Sequence, residues 1–281
     1  NLNLQGINSI SDEERNYSLL QYGGIASITF PQFLFPLSDR LKDRVSRYNP
    51  RTSIALSYSF EDRFQEYERQ TLTGTFSYQW QVRNNFNYNL TPLGLSLVDS
   101  KIEPGSDFET LLDTLRANGN GSFPASFESA LLTVSSFDAV INDNYGDRAE
   151  NTSFLRLFLE SGGNLLNFLN ESVFDFDNVR YQFLKFRADY RRQTYIDRNT
   201  VLASRINFGI ALPYGRDEAL PYERYFYIGG SNSIRAWPAR RLGPGGFAIY
   251  QNDRDTGLRE ISYTLELGGD MIIESSVELR C

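Results

Sequence analysis

The chain has 281 residues, a formal net charge of −7 and an aromatic content of 14%. It has no run of the roughly 20 apolar residues that a membrane-spanning helix needs, which excludes a helical membrane protein. It has no His and a single Cys, Cys281. A disulfide framework, the usual Cys/His zinc sites and His-based acid–base catalysis are therefore excluded.

Alternation of apolar and polar residues with a period of two predicts β-strands along most of the chain. In chain order, clear segments are 52–63, 72–82, 153–160, 182–191, 200–212 and 271–280, and weaker ones lie near 20–30, 86–98, 127–136 and 258–267. In 182–191, Leu184, Phe186 and Tyr190 alternate with charged residues. An apolar face opposite a charged face over many such strands is typical of a transmembrane antiparallel β-barrel.

The connections between these strands differ in length and composition. Asn84 and Asn85 join two strands tightly, as periplasmic turns of outer-membrane barrels do. Residues 107–118 place four apolar residues at helical spacing ahead of a Gly, and they predict a short helix within a loop. Segment 137–151 is rich in Asp and Asn, and it predicts an exposed extracellular loop.

Residues 221–247 form an unusual loop, because glycines are mixed with bulky side chains. Gly229 and Gly230 allow tight or left-handed backbone. The loop also contains four bulky residues, Phe226, Tyr227, Ile234 and Trp237. Together they carry more apolar surface than a solvated loop tip usually does. We therefore expect the loop to be packed and folded back into a barrel lumen. The alternative for the two glycines is an ordinary turn, and a phosphate-binding loop is excluded because no Gly-Lys-Ser/Thr follows.

Arg235 lies at the centre of this loop, between Ile234 and Trp237. A guanidinium that is shielded from water there would need a carboxylate or several carbonyl oxygens. The polar faces of the predicted strands offer three acids, Glu274, Glu278 and Asp189. The alternative is an Arg exposed to solvent in an ordinary loop.

The loop resembles the sixth-loop motif of the BamA/TamA-type outer-membrane protein assembly factors. The motif residues are Gly229, Gly230, Ser233, Ile234, Arg235 and Trp237, followed by Leu242-Gly243-Pro244-Gly245. Ala236 stands where that family usually has Gly, and Trp237 stands where it has Phe or Tyr. The extended Leu-Gly-Pro-Gly form favours the TamA-like branch.

The resemblance implies a sixteen-stranded barrel preceded by periplasmic POTRA domains. Residues 1–281 would then be an incomplete barrel domain covering about strands four to twelve, with 213–268 as its long sixth loop. The resemblance also implies that Arg235 reaches acids inside the barrel, with Glu278 as the first partner and Glu274 and Asp189 less favoured. The alternation places Glu278 on the lumen face independently. A second family acid and the lateral gate would lie outside these residues.

These features favour a non-enzymatic barrel of the Gram-negative outer membrane that inserts, assembles or translocates other proteins. Its expected partners are unfolded outer-membrane or secreted clients, POTRA domains or accessory subunits, and the lipid bilayer. No cofactor or metal is expected, and the acidic balance with scattered basic residues disfavours nucleic acid. A passive porin or uptake channel would share the wall pattern without needing the loop. An enzyme is disfavoured by the absence of His, and a soluble aromatic-rich β protein would dissolve without detergent.

Overall fold

A computed structural model describes most of the strands and part of their connections. The described residues are 20–35, 40, 47–64, 66–117, 121–143, 151–163, 181–197, 199–214, 219–231, 233–240, 242, 250–252, 259–261 and 268–280. None of the helices among them combines the length and the apolarity that crossing a bilayer requires.

Among the described residues, nine long strands form one antiparallel sheet and two short strands form a separate hairpin. The strands are β1 (Leu20–Phe30), β2 (Arg51–Arg63), β3 (Tyr67–Val82), β4 (Phe86–Ile102), β5 (Ala130–Asn142), β6 (Thr152–Gly162), β7 (Gln182–Tyr195), β8 (Val201–Tyr214), β9 (Tyr250–Asn252), β10 (Arg259–Ile261) and β11 (Met271–Arg280). Strands β1 to β8 each pair with the next, β11 pairs with β8, and β9 and β10 form a separate hairpin. The predicted antiparallel all-β fold is confirmed, as an open sheet with β1 and β11 at its edges.

The period-two alternation gives the sheet two faces of different chemistry. On one face, Leu184 pairs with Leu212, and the side chains are apolar yet exposed, reaching 73% for Val277. On the other face, Asp189 pairs with Asn207, and both are buried among polar neighbours. We call these the outer face and the lumenal face. An apolar face without a second sheet against it is expected of a wall that meets lipid.

The two ends of the sheet differ in their connections. At one end, which we call the turn end, Arg83–Asn85 joins β3 to β4; the other end, the loop end, carries the β4–β5 and β8–β11 connections. The prediction of an extracellular loop over 137–151 is wrong for its first part, because β5 continues to Asn142. Asn85 also donates its side-chain amide to Asp143 at 3.2 Å. The β5–β6 connection therefore lies at the turn end with the predicted periplasmic turn.

The β4–β5 connection folds into two short helices. Helix α1 (Asp107–Ala117) confirms the helix predicted within 107–118, and α2 (Ser122–Ala125) follows it. The hydroxyl of Ser106 accepts the backbone N–H of Glu109 at 3.0 Å, and the Glu109 carboxylate accepts the N–H of Gly105 at 2.7 Å. These reciprocal hydrogen bonds resemble a capping box and fix the start of α1. Its apolar side then faces the sheet.

A buried core fills the lumenal side of the loop end. One cluster combines strand β3, the two helices and the β8–β11 loop, through Tyr67, Phe108, Leu112, Leu115, Phe123, Phe127 and Tyr222. A second cluster continues it across β5, β7, β8 and β11, through Ala130, Leu132, Val134, Tyr181, Phe183, Ala211, Ala219, Leu220, Phe226 and Ile272. We call α1, α2 and residues 219–228 the plug. The plug explains why the lumenal face is apolar at this end, although the same face is charged further along the strands.

Candidate functional site

The first half of the β8–β11 loop is held by ion pairs to two separate strands, β3 and β6, on the lumenal face. A 3-10 turn at Tyr222–Arg224 presents two neighbouring residues of opposite charge, Glu223 and Arg224. The ring of Tyr222 is buried in the plug. Packing of this ring fixes the turn, so the two charged side chains extend from a defined position.

Glu223 binds Arg69 on strand β3. Arg69 Nε lies 2.7 Å from Glu223 Oε1, and Nη2 donates to Oε2 at 2.9 Å. The Arg69 side chain is only 5% exposed, whereas that of Glu223 is 44% exposed. Arg69 also lies over the ring of Tyr222 at 5.8 Å. This ion pair, with one hydrogen bond from Nη2, ties the loop to β3.

Arg224 binds Glu160 on strand β6. The distance from Arg224 Nη1 to Glu160 Oε2 is 3.0 Å, and the Glu160 side chain is 4% exposed against 29% for Arg224. Lys185 on β7 donates to the backbone carbonyl of Arg224 at 2.6 Å. In both ion pairs the wall residue is buried and the loop residue is the more exposed partner. We call the two pairs the clamp.

Phe226 holds the loop against strands β7 and β8 and against the residues just before β11. Its backbone exchanges two hydrogen bonds with Gly269, both of 2.9 Å, and its ring lies 4.3 Å from the Lys185 ammonium nitrogen. The ring rests on Gly209 of β8, where an added Cβ would come within 2.5 Å of it. Only a residue without a side chain allows this approach, which explains the Gly in the middle of a strand.

The motif that follows forms a compact turn. Gly229 and Gly230 have φ values of +109° and +91°, a region that side chains with a Cβ rarely adopt. The N–H of Gly230 donates to Trp237 O at 2.9 Å, and the hydroxyl of Ser233 accepts the N–H of Gly229 at 3.3 Å. The two predicted glycines and Ser233 are therefore structural parts of the turn.

The bulky residues of the loop divide into two groups. Phe226 is buried and Tyr227 is half-buried, whereas Ile234 is 41% exposed and Trp237 is 36% exposed. The expectation of a packed loop is thus confirmed for its first half, which belongs to the plug. The second half lies over the lumenal face without being enclosed by the described residues.

Arg235 and Glu278 line the same cavity, together with Asp189 and Glu274. The cavity has a volume of about 1410 Å³ and lies between the motif and strands β6, β7, β8 and β11. Arg235 is exposed, and its charge attracts the Glu278 carboxylate through space. The direct hydrogen bonds of Glu278 go to Arg280, at 2.6 and 3.0 Å. A direct Arg235–Glu278 ion pair stays a prediction.

The two alternative acids are also bound to wall residues. Asp189 accepts hydrogen bonds from Arg191 at 2.8 Å and from Arg205 at 3.0 Å. Glu274 accepts one from Asn207 at 3.3 Å, and Arg205 lies 3.9 Å from it. Among the three candidates, Glu278 has the most exposed side chain, at 47% against 13% for Glu274 and 8% for Asp189.

Sequence reasoning missed the clamp. Glu223 and Arg224 were visible as an opposite-charge pair beside an aromatic residue, and Glu160 lies on the polar face of a predicted strand. Arg69 precedes the predicted start of its strand at 72. Nothing in the pattern indicated which wall residue meets which loop residue. The described part of the chain has no group of three or more acids or Cys that could hold a metal ion.

The comparisons with known proteins gave one match of fold and one match of family. A comparison with curated proteins gave no match. Among solved structures, the chain is similar to BamA from Haemophilus ducreyi lacking POTRA domains 1–3, with 16% identity and a TM-score of 0.61. The match covers 94% of this chain and 45% of that one, so this chain spans less than half of the BamA structure. At this identity the likeness concerns the fold alone.

The sequence itself is matched by a family model over nearly its whole length. The model is the Omp85 superfamily domain, and the match runs over residues 8–281. The TamA-like branch that the loop favours stays a prediction. Taken with the antiparallel wall and the lumenal loop motif, the match shows that this chain belongs to the Omp85 superfamily.

Proposed function

We propose that this chain is part of a bacterial outer-membrane β-barrel that inserts, assembles or translocates other proteins. The observation that carries the proposal is the loop motif, which the clamp and the plug hold on the lumenal side of the wall. Arg235 then lies at a cavity with the exposed acid Glu278. Family membership supports the same role.

The lengths of the connections support an orientation in the membrane. Outer-membrane barrels have short periplasmic turns and longer extracellular loops. The turn end carries the connections 83–85, 143–151 and 196–200 beside the longer 31–50, and the loop end carries the short 64–66 beside the long connections of β4–β5, β6–β7 and β8–β11. We therefore orient the loop end, with the plug, towards the outside of the cell.

In this role the barrel acts by binding and not by covalent chemistry. Client strands would pair with an exposed strand edge at a seam of the complete barrel, by β-augmentation. The clamp would set the position of the loop, and attraction between Arg235 and Glu278 would brace strand β11. Clients would be unfolded outer-membrane or secreted proteins, delivered by periplasmic POTRA domains or accessory subunits.

Replacement of Arg235 by Ala tests this role. We expect a folded barrel whose loop is more accessible to protease and which assembles client proteins poorly in cells. Arg191→Ala is the matched control, because Arg191 lines the same cavity from the lumenal face of β7 and is not part of the motif. The role is refuted if Arg235→Ala leaves both client levels and loop protection unchanged.

A charge swap then tests the proposed partner. If Glu278 is the acid that Arg235 reaches, Arg235→Glu combined with Glu278→Arg should restore part of the function that each single change removes. Equal loss in the double variant and in the single variants would assign Arg235 to another acid.

A passive channel is the second candidate, and the composition of the cavity favours it to some extent. Within the described residues, eight basic and three acidic side chains line the cavity, which would suit the passage of anions. The plug argues against it, because its buried aromatic core fills the loop end of the lumenal face. Steady anion-selective conductance in planar bilayers, with normal client assembly in a deletion strain, would support the channel.

A further inference from the structure

The connection after β1 returns onto the outer face of the sheet. The ring of Phe33 packs edge-on against Tyr78 and Trp80 of β3, with ring centroids 5.3 Å and 6.2 Å apart. Tyr78 pairs with Thr52 of β2, and all three wall residues lie on the outer face by the strand alternation. The segment Gln32–Phe35 therefore covers the side of the wall opposite the plug.

The backbone of this segment is bound to the wall. The hydroxyl of Thr52 donates to the carbonyl of Gln32 at 2.8 Å and accepts the N–H of Leu34 at 2.9 Å. Thr52 is completely buried by this arrangement. The hydroxyl of Tyr78 donates to the carbonyl of Leu34 at 3.4 Å. Polar backbone that faces lipid must be satisfied internally, and these bonds do so for three backbone groups of the segment.

The side chains of the segment continue the apolar surface of the outer face. Leu34 is 39% exposed and Phe35 is 58% exposed, and β2 presents Ile54 on the same face. Nearby on this face, Trp80 stacks on Tyr88 with centroids 5.3 Å apart. Aromatic residues near the end of a barrel wall are typical of the level where lipid headgroups begin.

Exposed arginines accompany the apolar segment at the turn end. Arg40 and Arg47 lie in the same connection and are both exposed. Arginine side chains beside an apolar surface can reach lipid phosphates while their stems remain against the hydrocarbon. The connection that holds the apolar segment therefore also carries exposed positive charge, and this combination is the chemistry that a phospholipid interface binds.

We propose that Gln32–Phe35 is a lipid-binding anchor, seated at the boundary between headgroups and acyl chains in the leaflet at the turn end. Its partner is the phospholipid bilayer. Phe33 fixes the segment on the wall, while Leu34 and Phe35 enter the lipid. The anchor holds the β1–β2 connection against the barrel and sets the depth of the wall in the membrane. This inference rests on the proposed membrane-embedded barrel.

Spin labels in the complete protein test the anchor. The variants carry Cys281→Ser and one new Cys, at Phe35, at Ile54 on the outer face, or at Asn84 in the turn, and they are reconstituted in phosphatidylethanolamine–phosphatidylglycerol vesicles. Nitroxide collisions with oxygen report lipid, and collisions with a water-soluble nickel chelate report water. We expect the oxygen-to-nickel ratio at position 35 to be several-fold higher than at 84 and close to that at 54.

The controls separate this inference from the function on which it rests. A high ratio at 54 with a low ratio at 35 overturns the anchor and leaves the membrane-embedded wall intact. A low ratio at both positions overturns the proposed embedding as well. In a further variant, Phe33→Ala should lower the ratio at 35 several-fold without changing it at 54. An unchanged ratio at 35 would overturn the role assigned to the Phe33 ring.

Discussion

Removal of Glu223 should release the β8–β11 loop more strongly than removal of its partner Arg69. The reason is the unequal burial of the two side chains, 5% exposed for Arg69 and 44% for Glu223. Glu223→Ala leaves a buried guanidinium whose other contacts among the described residues are the carbonyl of Ser126, at 3.4 Å, and the ring of Tyr222. Arg69→Met instead leaves a carboxylate that can turn towards water.

The magnitudes follow from the geometry of the pair. Breaking a fully buried ion pair by removing one partner costs about 3–5 kcal/mol, and the partial exposure of Glu223 reduces this to about 2 kcal/mol for Glu223→Ala. Arg69→Met keeps most of the buried volume and should cost about 1 kcal/mol. The double variant should resemble Arg69→Met alone, because no unpaired buried charge remains. The two changes are then strongly non-additive.

In the second pair of the clamp the charges are reversed, because the loop residue is the cation and the wall residue is the acid. Glu160 on the wall is buried, and Arg224 on the loop is more exposed. Arg224→Ala should therefore destabilise the loop more than Glu160→Gln, because the neutral amide tolerates burial without a cation. Lys185 donates to the backbone carbonyl of Arg224, a bond that the change to Ala leaves in place. This bond should reduce the loss of loop stability without abolishing it.

Opening of the loop can be measured by thiol labelling. Ala219 in the loop is 2% exposed, so Ala219→Cys in a Cys281→Ser background is labelled only when the loop opens. A cost of about 2 kcal/mol corresponds to labelling about 30-fold faster for Glu223→Ala, and about 1 kcal/mol to about fivefold for Arg69→Met. Asp113→Ala, which breaks the exposed Arg116–Asp113 pair on α1, should change the rate by less than about twofold. Additive effects, or a larger effect of Arg69→Met, would refute the burial argument.

Two further predictions concern packing and acid sensitivity. Gly209→Ala should displace the ring of Phe226 and lower the free energy of unfolding in urea by about 1–3 kcal/mol. The control is Gly74→Ala, which should be neutral or slightly stabilising because the space around its Cβ position is open. Equal effects of the two changes would contradict the close approach of Phe226 to Gly209. Hydrogen bonds, first from Ser153, hold the pKa of Asp143 below its ordinary value of 3.8, so the stability they add is present above that value and is lost as the pH falls through the folded-state pKa. Asp143→Asn should therefore lower the thermal midpoint at pH 7 but not in strong acid, and a difference that persists in acid would exclude ionisation as the cause.

The extent of the strands shows where local patterns stop being informative. The alternation predicted that strand β3 starts at 72, but the strand begins at Tyr67. Its first residues include Tyr67 and Arg69, which are buried because the plug packs over them. The alternation of apolar and polar residues does not reveal that packing. Phe183 was predicted on the polar face of β7, which is correct, yet it is completely buried. Only the helices and the loop that pack over it explain an aromatic residue there.

The sequence by itself determined the antiparallel wall, its two faces and the loop motif that led to the superfamily. These are local properties, because side-chain direction repeats every two residues and glycine conformations depend on a few neighbours. The tertiary structure alone decided how the loop is held. Arg69 and Glu223 are 154 positions apart in the chain, and no periodic pattern relates residues at that distance. Their contact depends on the sheet bringing β3 beneath the loop, and burial of the guanidinium then makes the pairing specific.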